Sequence, residues 1–134
     1  QGRPTGWKTD GRRYEIATSA FPLLAGLRTA IALHHQFGPP RDRFQRICSL
    51  SEALWQRLNA LPNVHCLSSA PPPAGLVAFQ LANQAHAELV QYLEARSIFL
   101  RTIASPNCVR ACLHYLSTES EIDHLVEAIR AFGP

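Results

Sequence analysis

The stretch from Ile98 to Asp123, IFLRTIASPNCVRACLHYLSTESEID, decides the fold, since its pattern predicts two strands, a turn and the start of a helix. From position 108 to 115 the side chains alternate between two faces. One face takes Val109, Ala111, Leu113 and Tyr115, and the other takes Cys108, Arg110, Cys112 and His114. The run 98–103 alternates less regularly, and the short segment Ala-Ser-Pro-Asn joins the two predicted strands.

Arg101 and Arg110 are the candidate functional residues of this stretch. If the two strands pair, both side chains can lie on the same side of the sheet. A planar guanidinium binds a carboxylate through two parallel hydrogen bonds and stays charged at physiological pH. The pattern therefore indicates an anion receptor. The alternative is that both arginines lie on a solvated sheet face, which is the commonest place for a charged side chain.

Composition and charge narrow the class of protein. The chain has 134 residues, of which 46% are hydrophobic and 17% charged, which predicts one globular domain with its own core. Its twelve arginines and one lysine, Lys8, are scattered, and the net charge is only +3, so we expect no nucleic-acid partner. No run reaches the roughly 18 apolar residues of a membrane span, so we expect a soluble protein with no membrane partner. The polar segment 1–13 resembles a linker from a preceding domain.

The four cysteines, Cys48, Cys66, Cys108 and Cys112, form no CxxC motif, so a reducing compartment and a cytoplasmic location are expected. Cys108, Cys112 and His114 raise the question of a zinc site. However, residues four apart on a strand are separated by about 13 Å, which is too far for one tetrahedral ion. No metal is therefore predicted.

The remaining elements follow from hydrophobic periodicity. Residues 19–37 predict a helix whose apolar side chains spread around its circumference, so we expect a second domain or a partner subunit to cover it. Residues 41–61 predict an amphipathic helix with Phe44 on its apolar stripe and Arg43 outside it. Strands over 64–67 and 75–81, a helix over 86–95, the two arginine strands and a last helix follow. Thr118 and Glu121 form a capping box at the start of that last helix.

The element order predicts an α+β domain. Two long N-terminal helices precede a small, mostly antiparallel sheet in the order β-β-α-β-β-α, with the helices packed on one face.

Four segments together resemble one protein family: RRYEIATSAFPLLAGLRTAIAL (12–33), GLVAFQL (75–81), LEARSIFLRTI (93–103) and VRACLHYLSTESEIDHLVEAI (109–129). They are similar to the class V, fold-type I enzymes dependent on pyridoxal phosphate, which include cysteine desulfurases and cysteine/cystine lyases. The resemblance implies that residues 14–134 form the C-terminal small domain of a homodimeric enzyme. The cofactor, pyridoxal 5'-phosphate, would be bound mainly by a large domain outside this sequence.

The resemblance also implies roles for individual residues. Arg110 matches the family position that binds the substrate α-carboxylate, and Arg101 assists it. Thr18 matches a threonine that reaches the cofactor phosphate of the neighbouring subunit, although the family has glycine where this chain has Ala17. Taken alone, Thr18 also fits a helix cap. His114 shares the predicted face of Arg110, so it either approaches the substrate or fills a polar crevice.

The family's Schiff-base lysine has no counterpart in this sequence, because Lys8 lies in no matching motif and fits a solvated terminal segment. We therefore expect the isolated chain to be inactive.

One further departure separates the subfamilies. Desulfurases carry a nucleophilic cysteine on a loop between the two arginine strands. Here the loop is short, and Cys108 belongs to the strand, which is a poor position for a mobile nucleophile. The resemblance therefore favours a carbon-sulfur lyase that acts by β-elimination on cysteine or cystine and releases pyruvate, ammonia and a sulfur product. Cys108 and Cys112 would then be small packing residues.

The alternatives within the family are a cysteine desulfurase and an enzyme similar to isopenicillin-N epimerase. A non-catalytic α+β binding module is the alternative from another class.

Overall fold

Two units make up the chain, Gln1–Phe37 and Gly38–Pro134. A computed structural model of the protein describes residues 6–14 and 20–133. In the first unit, a 3-10 helix at Gly11–Tyr14 precedes helix α1, Phe21–Gln36. Helix α1 confirms the helix predicted over 19–37. None of its residues is buried, so the cover by a second domain or a partner subunit stays a prediction.

The second unit carries three helices and four strands in the predicted order. The elements are α2 (Pro40–Asn59), β1 (Val64–Cys66), β2 (Leu76–Leu81), α3 (His86–Glu94), β3 (Arg101–Ile103), β4 (Cys108–Cys112) and α4 (Glu119–Phe132). The strands form one sheet in the order β1-β2-β4-β3, and each neighbouring pair is antiparallel. The predicted α+β class is confirmed.

The core lies on one face of this sheet. Strand register sets this face, because Val77 pairs with Ala111 and Phe79 with Val109, and all four side chains are buried. Helices α2, α3 and α4 supply the other half of the core, through Leu50, Leu54, Leu58, Leu89, Leu93, Ile122, Leu125, Val126 and Ile129. The alternate residues of β2 and β4 point to the opposite face of the sheet.

Helix α4 begins as its sequence predicts. The Thr118 hydroxyl accepts a hydrogen bond from the Glu121 amide at 3.2 Å, and the Glu121 carboxylate accepts from the Thr118 amide at 2.7 Å. This reciprocal pair satisfies donors that the first turn of a helix leaves free.

Helix α2 departs from the prediction at its first turn, where Arg43 is buried and Phe44 is 52% exposed. The reason is tertiary, because the Arg43 guanidinium donates to the Gly38 carbonyl and lies 5.8 Å from the centre of the Tyr115 ring. The carbonyl oxygen and the aromatic ring stabilise the positive charge of the guanidinium, while the aliphatic part of the Arg43 side chain is buried.

Strand β4 ends at Cys112, so the prediction of a strand to Tyr115 was wrong. One more ladder bond follows, from the Leu113 amide to the Gly75 carbonyl at 2.7 Å. A Cβ on residue 75 would lie 2.4 Å from the Leu113 carbonyl oxygen, so only glycine permits this approach. Beyond it, Arg46 donates to the carbonyls of Tyr115 and Ser117 at 2.8 and 3.1 Å and holds the chain in a turn.

Candidate anion-binding site

The two candidate arginines lie side by side on β3 and β4. Arg101 is the direct cross-strand partner of Arg110, with Thr102 opposite Val109 and Ile103 opposite Cys108. Directly opposed residues of an antiparallel pair project from the same face, with Cβ atoms about 4.5–5.5 Å apart. The prediction that both arginines can face one side is therefore confirmed.

Neither arginine is neutralised by a carboxylate within residues 6–14 and 20–133, where the salt bridges are Arg12–Asp10 and Arg57–Asp123. Arg101 is exposed and Arg110 is half-buried. The Arg110 Nε atom is buried and has no hydrogen-bond partner among the described residues. Buried donors almost always have an acceptor, so this atom fits a bound anion.

The turn between the two strands, residues 104–107, includes a cis peptide bond between Ser105 and Pro106. Its last residue, Asn107, is held by three neighbours. Its carbonyl accepts from Gln80 Nε2 at 2.6 Å, its Nδ2 donates to Gln84 Oε1 at 3.0 Å, and its Oδ1 lies 3.1 Å from His86 Nδ1. The sequence alone does not predict this cluster, because the spacing of its residues along the chain carries no recognisable signal.

The four cysteines are all free. Cys108 is the first residue of β4 and is 2% exposed, so its predicted place on the strand is confirmed. Burial raises the pKa of its thiol, and the nearby charge of Arg110 offsets this only in part. A buried thiol with a raised pKa is a poor nucleophile. Cys112 is exposed, so the prediction that it packs in this chain was wrong. It is the last residue of β4 and pairs with Leu76, the first residue of β2.

The other predicted site residues are not brought to the arginines by the sheet. His114 lies beyond the end of β4, is exposed, accepts from the Leu116 amide at 3.4 Å and has its ring 4.0 Å from that of Tyr115. Its functional role stays a prediction. Thr18 lies outside the described residues, and Lys8 is exposed.

Neither a membrane helix nor a metal cluster is found in the described part of the chain. None of its helices is long and apolar enough to cross a membrane. No three side chains of the metal-binding types His, Cys, Asp and Glu come together there.

With this geometry in place, comparison with known proteins defines the family. The model of the class V aminotransferase family matches residues 3–131. The chain belongs to this family. It is 50% identical to a cystine C-S lyase, C-DES, solved with its reaction product cysteine persulfide, and the match has a TM-score of 0.85. A lysine-to-alanine variant of C-DES, with glycine covalently linked to the PLP cofactor, matches with the same identity and a TM-score of 0.84.

The chain spans about a third of C-DES, covering 35% of that protein with 99% of its own length. A cysteine desulfurase from Escherichia coli, CsdA, matches 87% of the chain and 31% of its own length at 22% identity, with a TM-score of 0.74. At that identity the likeness concerns the fold alone. No curated protein sequence matches the chain.

Pyridoxal phosphate is the cofactor seen in this family, so the described residues can be tested against it. The unpaired Nε of Arg110 and the neighbouring Arg101 fit the carboxylate of an amino acid held against such a cofactor. The one lysine of the sequence, Lys8, lies in the first unit and in none of the four segments that carry the resemblance.

Proposed function

We propose that this chain is the C-terminal small domain of a pyridoxal-phosphate-dependent lyase that cleaves the carbon-sulfur bond of cystine or cysteine. Residues 1–13 would lead from a large cofactor-binding domain, and residues 14–134 would form the small domain. The support is the 50% identity to a cystine C-S lyase over 99% of the chain. The single structural observation that carries the proposal is the pairing of Arg101 with Arg110 on one face.

The arginine pair suits an amino acid with two carboxylates. Arg110, whose buried Nε lacks a partner among the described residues, holds the α-carboxylate near the reacting carbon, and the exposed Arg101 reaches the same group or the distal carboxylate of cystine. A carboxylate fixed in this way sets the orientation of the bond that breaks. The bound cofactor supplies an electron sink for the carbanion. The balanced reaction is cystine and water to pyruvate, ammonia and cysteine persulfide.

The state of Cys108 favours elimination over sulfur transfer to the protein. A desulfurase needs a reactive thiol that can reach the substrate sulfur. Here Cys108 is buried at the start of β4 and burial raises its pKa, and the turn that precedes it, residues 104–107, contains no cysteine. An elimination leaves the sulfur on the product and requires no such thiol.

The remaining roles extend the same proposal. Two chains would form a homodimer, in which Thr18 donates from its hydroxyl to the cofactor phosphate bound by the neighbouring subunit. His114 would lie near the substrate once the large domain is present. The four free thiols fit a reducing, cytoplasmic compartment.

The first experiment is to assay the complete protein for its products. We expect visible absorbance from bound cofactor, and pyruvate with persulfide sulfur released from cystine. Alanine formed from cysteine in place of pyruvate would assign the protein to the desulfurases. A complete protein without cofactor absorbance would support the alternative function, a non-catalytic binding module.

The first prediction concerns Arg110 in the complete protein. We expect Arg110→Ala to lower kcat/KM for cystine by the equivalent of about 2 to 4 kcal/mol, since a charge-assisted bidentate contact is lost. Arg110→Lys is the matched control, because lysine keeps the positive charge but cannot make the two parallel hydrogen bonds of a guanidinium. Its kcat/KM should lie between those of the parent and Arg110→Ala. Steady-state kinetics with both variants measure this, and an unchanged kcat/KM in Arg110→Ala contradicts the proposal.

A further inference from the structure

His86 is a buried polar side chain close to the arginine strands, at 2% exposure, and it is the first residue of α3. Its Nε2 atom accepts a hydrogen bond from the Leu81 amide at the end of β2, at 3.0 Å. Its Nδ1 atom lies 3.1 Å from Asn107 Oδ1. The imidazole thus bridges the end of one strand and the turn before another.

The partners of the His86 ring decide which of its nitrogens donates a hydrogen bond and which accepts one. A backbone amide only donates, so Nε2 must present a lone pair to Leu81. An amide oxygen only accepts, so Nδ1 must carry the hydrogen that is shared with Asn107. With Nε2 as the acceptor and Nδ1 as the donor, both hydrogen bonds of the ring are satisfied.

Asn107 transmits this bridge to the arginines. It ends the turn at residues 104–107 and directly precedes Cys108, which pairs with Ile103 as the last pair of the β3–β4 ladder. Gln80 and Gln84 hold the same residue through its carbonyl and its Nδ2. Arg110 follows three residues later, opposite Arg101, so a shift of Asn107 moves the strand that carries one arginine against the strand that carries the other.

We propose that His86 is a positioning residue, which fixes the β3–β4 turn through Asn107 and thereby sets the spacing of Arg101 and Arg110. This inference rests on the proposed function of the two arginines as carboxylate ligands. His86 itself touches neither arginine in the hydrogen bonds described above, so its effect is on substrate affinity and not on bond cleavage.

Three substitutions in the complete protein test the bridge. Asn107→Ala removes the acceptor of the His86 bond at an exposed position. In His86→Gln, the glutamine side-chain amide takes the position of Nε2. It can therefore accept from the Leu81 amide, but nothing remains at the position of Nδ1 to donate to Asn107. His86→Asn places an amide donor at the position of Nδ1 and keeps the bond to Asn107. Asn83→Ala is the control, because among the described residues the Asn83 side chain accepts a hydrogen bond from the nearby Ala85 amide and has no other partner.

We expect Asn107→Ala and His86→Gln to raise KM for cystine about tenfold with a smaller change in kcat, because the carboxylate ligands are displaced. His86→Asn and Asn83→Ala should keep KM within about twofold of the parent. Hydrogen exchange should quicken in peptides covering residues 101–112 of the first two variants and stay unchanged in those covering α4.

The outcomes separate the two proposals. A parent protein that cleaves neither cystine nor cysteine overturns the proposed function, while the exchange experiment still tests the bridge without any reaction. Unchanged exchange in residues 101–112 of Asn107→Ala overturns the positioning role. So does a KM that is unchanged in Asn107→Ala and His86→Gln, even if their melting temperatures fall, since lower stability alone reports only packing.

Discussion

At the scale of single residues, we expect the burial of Cys66 to lower the stability of the protein at alkaline pH. It is 3% exposed on β1, and burial raises the pKa of its thiol from an ordinary value of 9.0 to about 11. A raised pKa means that the folded state resists losing this proton while the unfolded state loses it freely. The stabilising contribution is complete below pH 9 and is lost as the pH rises from about 9 to about 11.

We expect this loss to amount to about 3 kcal/mol of unfolding free energy, since one pKa unit corresponds to about 1.4 kcal/mol. Urea denaturation between pH 7 and 11 measures it against Cys66→Ala, which cannot ionise. The difference in stability between parent and variant should shrink over this range. Because burial also raises the pKa of Cys108, the variant keeps some pH dependence. Parallel curves for parent and variant would show that Cys66 makes no contribution.

Individual residues also show where local patterns stop being informative. The arginine pair was predictable, because alternation along 108–112 fixes which side chains share a face. The burial of Arg43 was not predictable, since it depends on Gly38 and on Tyr115, which is distant in sequence. The hydrogen bond of His86 was not predictable either, because its partner Asn107 lies 21 residues away.

At the scale of elements, helix α4 depends on its first turn. Thr118 and Glu121 exchange hydrogen bonds there, and the packed stripe of α4 begins at Ile122. We expect Thr118→Ala to lower the unfolding free energy by about 1 kcal/mol, because the amide of Glu121 loses its acceptor. Thr118→Ser, which keeps the hydroxyl, is the control and should unfold close to the parent in urea. A loss of the same size in both variants would assign the effect to the missing methyl group.

Element types were predicted better than element ends. The capping box marked the start of α4. The alternating pattern of β4 continues in the sequence to Tyr115, but its partner β2 begins at Leu76, so pairing stops at Cys112. A strand ends where its neighbour ends, and that neighbour is 30 or more residues away in sequence.

At the scale of the whole molecule, the apolar surface of α1 calls for a partner. Leu24, Leu27 and Ile31 follow one another along one side of the helix, and each is at least half exposed. Exposed apolar patches of this kind mark interaction surfaces. Since the chain spans about a third of C-DES, we infer that the rest of the complete protein covers this stripe.

We expect the chain produced by itself to self-associate through this stripe and the complete protein to hide it. Leu24→Glu combined with Ile31→Glu should make the isolated chain less associated in analytical ultracentrifugation and should destabilise the complete protein. Thr29→Glu, on the other side of α1, is the matched charge control and should do neither. An isolated chain that is monomeric without these substitutions would show that the stripe needs no cover.

The direct pairing of Arg101 with Arg110 has a consequence for the stability of this hairpin. Two like charges opposite each other on neighbouring strands repel, so the hairpin gives up stability as long as no anion lies between them. Under the proposed function, a carboxylate that enters between the two arginines relieves this repulsion, and part of its binding free energy comes from strain that the empty hairpin already holds.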